Sequence, residues 1–287
     1  MDRSILPLPD PTYDGPVYED AKDPRAVFEP ITPIRPPAGA PNVLVVLLDD
    51  VGFGAASVFG GPCRTPTAER LAGNGLSFSR FHTTALCAPT RQALLTGRNH
   101  HAVGMGAITE IATAAPGYTS VRPQAAAPLA QVLRLNGYST AQFGKCHEVP
   151  VWQTSPVGPF DAWPTGGGGF EHFYGFLGGE TNQYAPAIYS GTTPIEPELG
   201  EGYHFTEDMT DKAIAWVRQL SALTPDRPFF MYYAPGATHA PHHVPLEWAD
   251  RYRGEFDDGW DALRERIFAE QKRRGVVPED AELTARH

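Results

Sequence analysis

The sequence predicts an α/β domain built on a mainly parallel sheet with helices on both faces. Three observations predict it: a continuously apolar run that ends on two carboxylates, helix-period segments that alternate with short apolar runs, and glycine or proline at the joints. With 287 residues, 41% hydrophobic and 20% charged, the chain is long enough to bury a sizeable core. The 29 prolines and 29 glycines punctuate apolar segments instead of forming one low-complexity tract, which argues for an ordered, loop-rich protein.

Residues 1 to about 41 repeat proline, from Pro7, Pro9 and Pro11 to Pro36, Pro37 and Pro41, with few periodic apolar positions; they read as an extended arm lying on the domain. Val43-Leu44-Val45-Val46-Leu47-Leu48 reads as a strand buried on both faces, ending on Asp49-Asp50. Thr65-Pro66-Thr67 opens a short helix through Leu71 that Gly73 and Gly75 close, and Leu76 to Phe81 alternates with period two as a strand. A helical pattern over about 126–136 stops at Gly137 and leads into a strand ending Phe143-Gly144-Lys145. Gly166 to Gly169 reads as a flexible loop, since the frame of a phosphate-binding loop is absent. Met209, Ala213, Trp216, Val217 and Leu220 recur at helical spacing behind Glu207 and Asp208, and Pro228 precedes the apolar run Phe229 to Tyr233.

The formal net charge of −10 argues against nucleic acid or an anionic membrane as partner, and an anionic substrate would need a local cationic site. No apolar run approaches membrane-span length, and Met1 to Pro7 has neither a basic region nor a long apolar one, so a cytoplasmic location is expected. Cys63, Cys87 and Cys146 are odd in number and lack paired zinc-type spacing, so neither a disulfide framework nor a cysteine-rich metal site is indicated.

In open α/β sheets ligands bind beyond the carboxyl ends of the strands, so polar residues just after apolar runs are the candidates. Asp49 and Asp50 would repel each other unless a cation sits between them, and oxygen ligands suit Ca²⁺ or Mg²⁺; the alternative is a solvated loop with an Asx cap. Cys87 stands just before Pro89 and a helix-like pattern, where the helix dipole would favour a nucleophile and Arg91 could reach back; the alternative is a small buried side chain. Lys145 and His147, two apart, would face one side of an extended segment and offer a point charge and a proton carrier. His239 lies after the last apolar run and, with His242 and His243, could in principle bind a transition metal. His100 and His101 read as helix-end or rim residues.

Taken together and in this order, the elements resemble type I sulfatases, most nearly the bacterial arylsulfatase-like ones, from about Asn42 onward. Cys87-x-Pro89-x-Arg91 matches the family's modification signature, in which the cysteine is oxidised to formylglycine, and Leu94-Leu95-Thr96-Gly97-Arg98 continues it. Gly144-Lys145-Cys146-His147 matches the Gly-Lys-x-His element, with Cys146, read as a small buried filler, where tryptophan is common; His239 matches a histidine near a proline. The resemblance implies an alkaline phosphatase-like fold and a sulfate ester hydrolase with catalytic residues Cys87, Arg91, Lys145, His147 and His239. Its cation, Ca²⁺ or Mg²⁺, would be held by Asp49, Asp50 and modified Cys87, and a formylglycine-generating enzyme would be a partner. The family's mechanism has hydrated formylglycine attack sulfur, Lys145 hold sulfate oxygens, His239 protonate the leaving alcohol or phenol and His147 take a proton from the second hydroxyl.

Further cation ligands and a second lysine lie downstream of this histidine in the family, and Asp257-Asp258 has no strand before it and is not that ligand pair. The resemblance therefore implies that residues 42–287 are the N-terminal portion of a catalytic domain, with an incomplete sheet, weak Ca²⁺ binding and little turnover alone. A phosphonate or phosphate ester hydrolase of the same superfamily and a non-catalytic remnant remain the alternatives.

Overall fold

The structure, a computed structural model, describes residues 12–28 and 30–286. The expected features at Pro7, Pro9, Pro11 and the Met1 to Pro7 start lie outside the described residues. The chain divides into two compact units, Met1–Ile34 and Arg35–His287. In the first, the described residues form neither helix nor strand. Local contacts hold them: Arg25 pairs with Asp23 at 2.6 Å and lies 4.8 Å from the centre of the Tyr18 ring, and the Tyr13 and Phe28 rings are 5.3 Å apart.

The second unit is a six-stranded sheet with helices on both faces. Its strands are β1 (Val43–Val46), β2 (Ser139–Lys145), β3 (His172–Phe176), β4 (Ile188–Ser190), β5 (Thr193–Ile195) and β6 (Phe229–Ala234). Its helices are α1 (Pro66–Asn74), α2 (Cys87–Thr96), α3 (Leu129–Leu135), α4 (Phe205–Leu223), α5 (Leu246–Ala249) and α6 (Gly259–Arg273). The strand order is β1-β6-β2-β3-β4-β5. The first four are mutually parallel, and β4 and β5 add an antiparallel hairpin at the far edge. Parallel pairing of β1, β6 and β2, with helices in the connections, brings their carboxyl ends to one edge of the sheet.

On one face Ala141, Phe143, Tyr174, Phe176 and Met231 pack against Phe205, Met209 and Ala213 of α4. On the other, Phe230, Tyr232 and Ala234 pack against Leu95 of α2 and Ala130 of α3. Each fully buried large side chain in these layers contributes roughly 1.5–3 kcal/mol relative to exposure. All seven residues of β2 are buried, as its central place requires.

The expectation that the Val43 to Leu48 run is covered on both faces fails. The strand is the sheet's edge, and while Val43, Val45 and Leu47 pack toward α2 and α3, Leu44, Val46 and Leu48 are 58%, 53% and 48% exposed. The reason is the reach of α4, which crosses β2, β3 and β6 and stops short of β1. The period-two segment Leu76 to Phe81 also forms no strand, because none of the six strands pairs with it and alternation alone supplies no ladder. Helix α1 runs through Gly73 to Asn74 and is capped at Gly75. The Gly166 to Gly169 run is no free loop: Gly166 and Gly168 donate backbone hydrogen bonds to the Trp163 carbonyl at 2.9 and 3.0 Å, wrapping a fully buried indole.

Candidate active site

The exits of β1 and β6 are tied together by the backbone. Asp49 N–H donates to the Ala237 carbonyl at 3.2 Å, and Thr238 returns bonds from its N–H and Oγ1 to the Asp49 carbonyl at 2.8 and 3.0 Å. The Asp49 side chain, 5% exposed, accepts a hydrogen bond from the Lys145 ammonium and lies 3.3 Å from Arg91 Nη2. Arg91 Nη1 in turn donates to the Lys145 carbonyl at 3.1 Å. Lys145 and Arg91 are both fully buried, so one carboxylate sits between two desolvated cations at the end of β2. The hydrogen bond and ion pair of Arg91 go to Lys145 and Asp49, and its charge also interacts with Cys87, toward which the sequence has it reach back.

Cys87 is the first residue of α2, and its Sγ lies 2.9 Å from His147 Nδ1. On the far side of the ring, His147 Nε2 is 2.9 Å from Glu110 Oε2. His147 has φ 55°, a left-handed conformation uncommon outside glycine, and its N–H bonds the Leu177 carbonyl at 3.0 Å just past β3. This turn separates two side chains expected on one side: Lys145 goes to Asp49 and His147 to Cys87. Burial pushes the His147 imidazolium to lose its proton more easily, and the nearby Lys145 and Arg91 charges add to that while Glu110 opposes it. Burial alone would raise the Glu110 carboxyl, but the hydrogen bond and charge of His147 outweigh it and hold the group below its ordinary value.

Asp50 also has a left-handed backbone, φ 53°, and its carboxylate is 3.8 Å from His239 Nε2. His239 Nδ1 is 2.7 Å from the Ala240 carbonyl and donates to it, which leaves Nε2 as the free ring nitrogen. Glu180, after β3, lies 3.8 Å from the same Nδ1. His243 is engaged elsewhere, with Nδ1 accepting from the Gln183 N–H at 3.3 Å and its ring 5.3 Å from Tyr184. His101 Nε2 contacts the Tyr118 hydroxyl at 3.1 Å. Cys146 packs with Val149, Trp163, Phe173 and Leu177, and burial pushes its thiol up to about 12, as suits a filler.

The carboxylates of Asp49 and Asp50 fit a hard cation in kind and fall short in number. Among the described residues no group of three or more His, Cys, Asp or Glu side chains could hold a metal ion, whereas Ca²⁺ takes six to eight oxygens.

Sequence reasoning missed Glu110, Glu180 and Glu148. None belongs to a recognisable spacing, since each reaches the site through a loop. Glu148 is 8% exposed, and its Oε1 has no hydrogen-bond partner. Burial raises its carboxyl to about 7 against the pull of Arg122 and Arg91. The folded protein therefore holds a proton there that the unfolded chain has lost above its ordinary carboxylate value. The contribution of Glu148 to stability falls as pH rises from about 4.5 to about 7 and is then level. Glu148→Gln should remove that loss, raising stability at pH 8 by on the order of 2 kcal/mol and leaving it unchanged near pH 4. Denaturant midpoints at the two pH values check this; equal gains at both would speak against it.

A protein-family model described as Sulfatase matches residues 41–283. An uncharacterised sulfatase of Schizosaccharomyces pombe is 31% identical over 84% of this chain and 45% of its own length. The arylsulfatase of Klebsiella aerogenes is 28% identical over 85% of this chain and 52% of its own. Among solved structures, one in complex with its substrate D-glucosamine-2-N,6-O-disulfate superimposes with a TM-score of 0.57 at 25% identity, covering 75% of this chain and 38% of that one. The chain thus spans about half the length of the relatives it matches.

Proposed function

Because the chain belongs to the sulfatase family, we propose that this protein hydrolyses sulfate esters where Cys87, Arg91, Lys145, His147 and His239 meet, with Cys87 oxidised to formylglycine. The observation that carries the reading is the pairing of a half-buried Cys87, 2.9 Å from His147 Nδ1, with two buried cations, Arg91 one turn along the same helix and Lys145 two residues before His147, that meet on Asp49. The net reaction adds water across the ester and releases an alcohol or phenol, sulfate and a proton.

Hydrated formylglycine would supply the nucleophilic hydroxyl and a divalent cation the Lewis-acid charge, with Asp49, Asp50 and position 87 as the cation's ligands and Ca²⁺ favoured over Mg²⁺. Lys145 holds sulfate oxygens with a point charge, and Arg91 neutralises charge beside it; charge already aimed at a transition state is the largest expected contribution to rate. His147 takes a proton at Nδ1 from the side chain at position 87. His239, acting as the imidazolium, keeps its Nδ1–H on the Ala240 carbonyl and gives the second proton, on Nε2, to the leaving oxygen. Beside it a cavity of about 450 Å³ is lined on one side by Val244, Pro245 and Trp248, an apolar strip that suits an aryl leaving group, and on others by polar groups that include His204, Glu207 and His242. Oxidation of Cys87 is assigned to a formylglycine-generating enzyme.

The test is to produce the chain with and without such an enzyme and follow the Cys87 peptide by mass spectrometry. Release of sulfate from an aryl sulfate is then compared with hydrolysis of an aryl phosphonate ester in millimolar Ca²⁺, because a short ligand set binds the ion weakly. We expect conversion at Cys87 and slow sulfate release, still ahead of phosphonate hydrolysis, that depends on it. Unmodified thiol under both conditions, or faster phosphonate hydrolysis, would overturn the reading.

A further inference from the structure

We propose that Glu110 is a positioning residue that holds His147 in the tautomer with its proton on Nε2 and its lone pair on Nδ1, aimed at the side chain of position 87. The inference rests on the sulfatase reading only for what the aimed lone pair is used for; the tautomer follows from the geometry. An ionised carboxylate can only accept hydrogen bonds, so the ring nitrogen 2.9 Å from Glu110 Oε2 must be the donor. A neutral imidazole carries one ring proton, which leaves Nδ1 as the acceptor facing Cys87 Sγ at 2.9 Å. Without Glu110 the two tautomers differ little in energy, and a ring with its proton on Nδ1 would offer position 87 a donor where a base is needed.

The surroundings fix the ring on its other sides. The left-handed backbone of His147 and its N–H bond to Leu177 set where the ring starts, and Gly179 closes one face: a Cβ added there would meet His147 Cε1 at 3.0 Å. Glu110 is itself held by the single turn Thr109–Ile111, where Thr109 is buried and its Oγ1 lies 3.2 Å from Glu110 Oε2. Val103 and Met105, both buried, anchor the segment that leads to it. Glu110 thus acts through His147, and its half-exposed side chain can be replaced without opening the core.

Long-range proton–nitrogen correlation NMR of histidine-labelled protein reads the tautomer directly at a pH where the ring is neutral, with His147→Asn assigning the signals. The unaltered chain should show His147 as one tautomer protonated at Nε2. Glu110→Gln, whose amide oxygen still accepts, should keep it; Glu110→Ala should give a mixture. On an aryl sulfate, Glu110→Ala should lower kcat by about 10- to 100-fold with KM nearly unchanged, and Glu110→Gln should recover much of that. An unchanged single tautomer in Glu110→Ala, or an Nδ1-protonated ring in the unaltered chain, overturns the inference even if sulfate is released. A Glu110-dependent tautomer in a protein that releases no sulfate upholds it and sinks the sulfatase reading alone.

Discussion

Lys145→Met is expected to destabilise the fold by about 3–5 kcal/mol as well as to silence the site, because it leaves a buried carboxylate short of one of its two cations. Asp49 is 5% exposed and shared between Lys145 and Arg91, each almost wholly buried. With Lys145 gone, Arg91 at 3.3 Å is left to compensate the charge alone. Adding Asp49→Asn to Lys145→Met strands Arg91 in turn, a buried cation with its ion-pair partner gone, so the double should recover little of the stability while turnover stays at least 100-fold down. Denaturant unfolding of the two singles and the double gives the coupling energy directly. A loss below about 1 kcal/mol in the Lys145 single, or a double as stable as the unaltered chain, would show that the buried cluster does not work this way.

This expectation goes beyond what the sequence suggested for Lys145, a point charge in an extended segment, and the difference shows where sequence reading stops. Strand β6 and helix α4 were legible because their apolar patterns report burial on both faces or on one stripe, and those faces are in fact covered; β2, which carries Ser139, Thr140, Gln142 and Lys145, was legible only through its place after the helix that stops at Gly137. The same pattern misled at Val43 to Leu48, since an apolar run records the need for cover and not which element provides it. Cys87, Lys145, His147 and His239 were legible through motif order, which ties each to the end of an element. Glu110 and Glu148 were not: they reach the site through loops and a left-handed turn at His147 that no periodicity announces. The ion pairing of Arg91 with Asp49 joins positions 42 apart and likewise follows only from the packing of α2 on the sheet.

Cys87→Ala is expected to do the opposite of the Lys145 change: turnover of an aryl sulfate should fall by at least about 10⁴-fold while stability moves by less than about 1 kcal/mol. Cys87 opens α2 but does not cap it, since the capping position is Leu86 and makes no side-chain bond, and alanine is the best helix former. Its hydrogen-bonding contact is His147 Nδ1, and the ring keeps its bond to Glu110 when the sulfur is removed. The tautomer read by NMR should therefore survive in Cys87→Ala and be lost in Glu110→Ala, which separates the group that reacts from the group that aims. Lys145→Met joined to Cys87→Ala should lose no more turnover than Cys87→Ala alone, because holding a sulfate accelerates nothing once the attacking side chain is absent. Residual turnover above about 1% in Cys87→Ala, measured on protein shown to be folded, would mean that the attacking group lies elsewhere in the site.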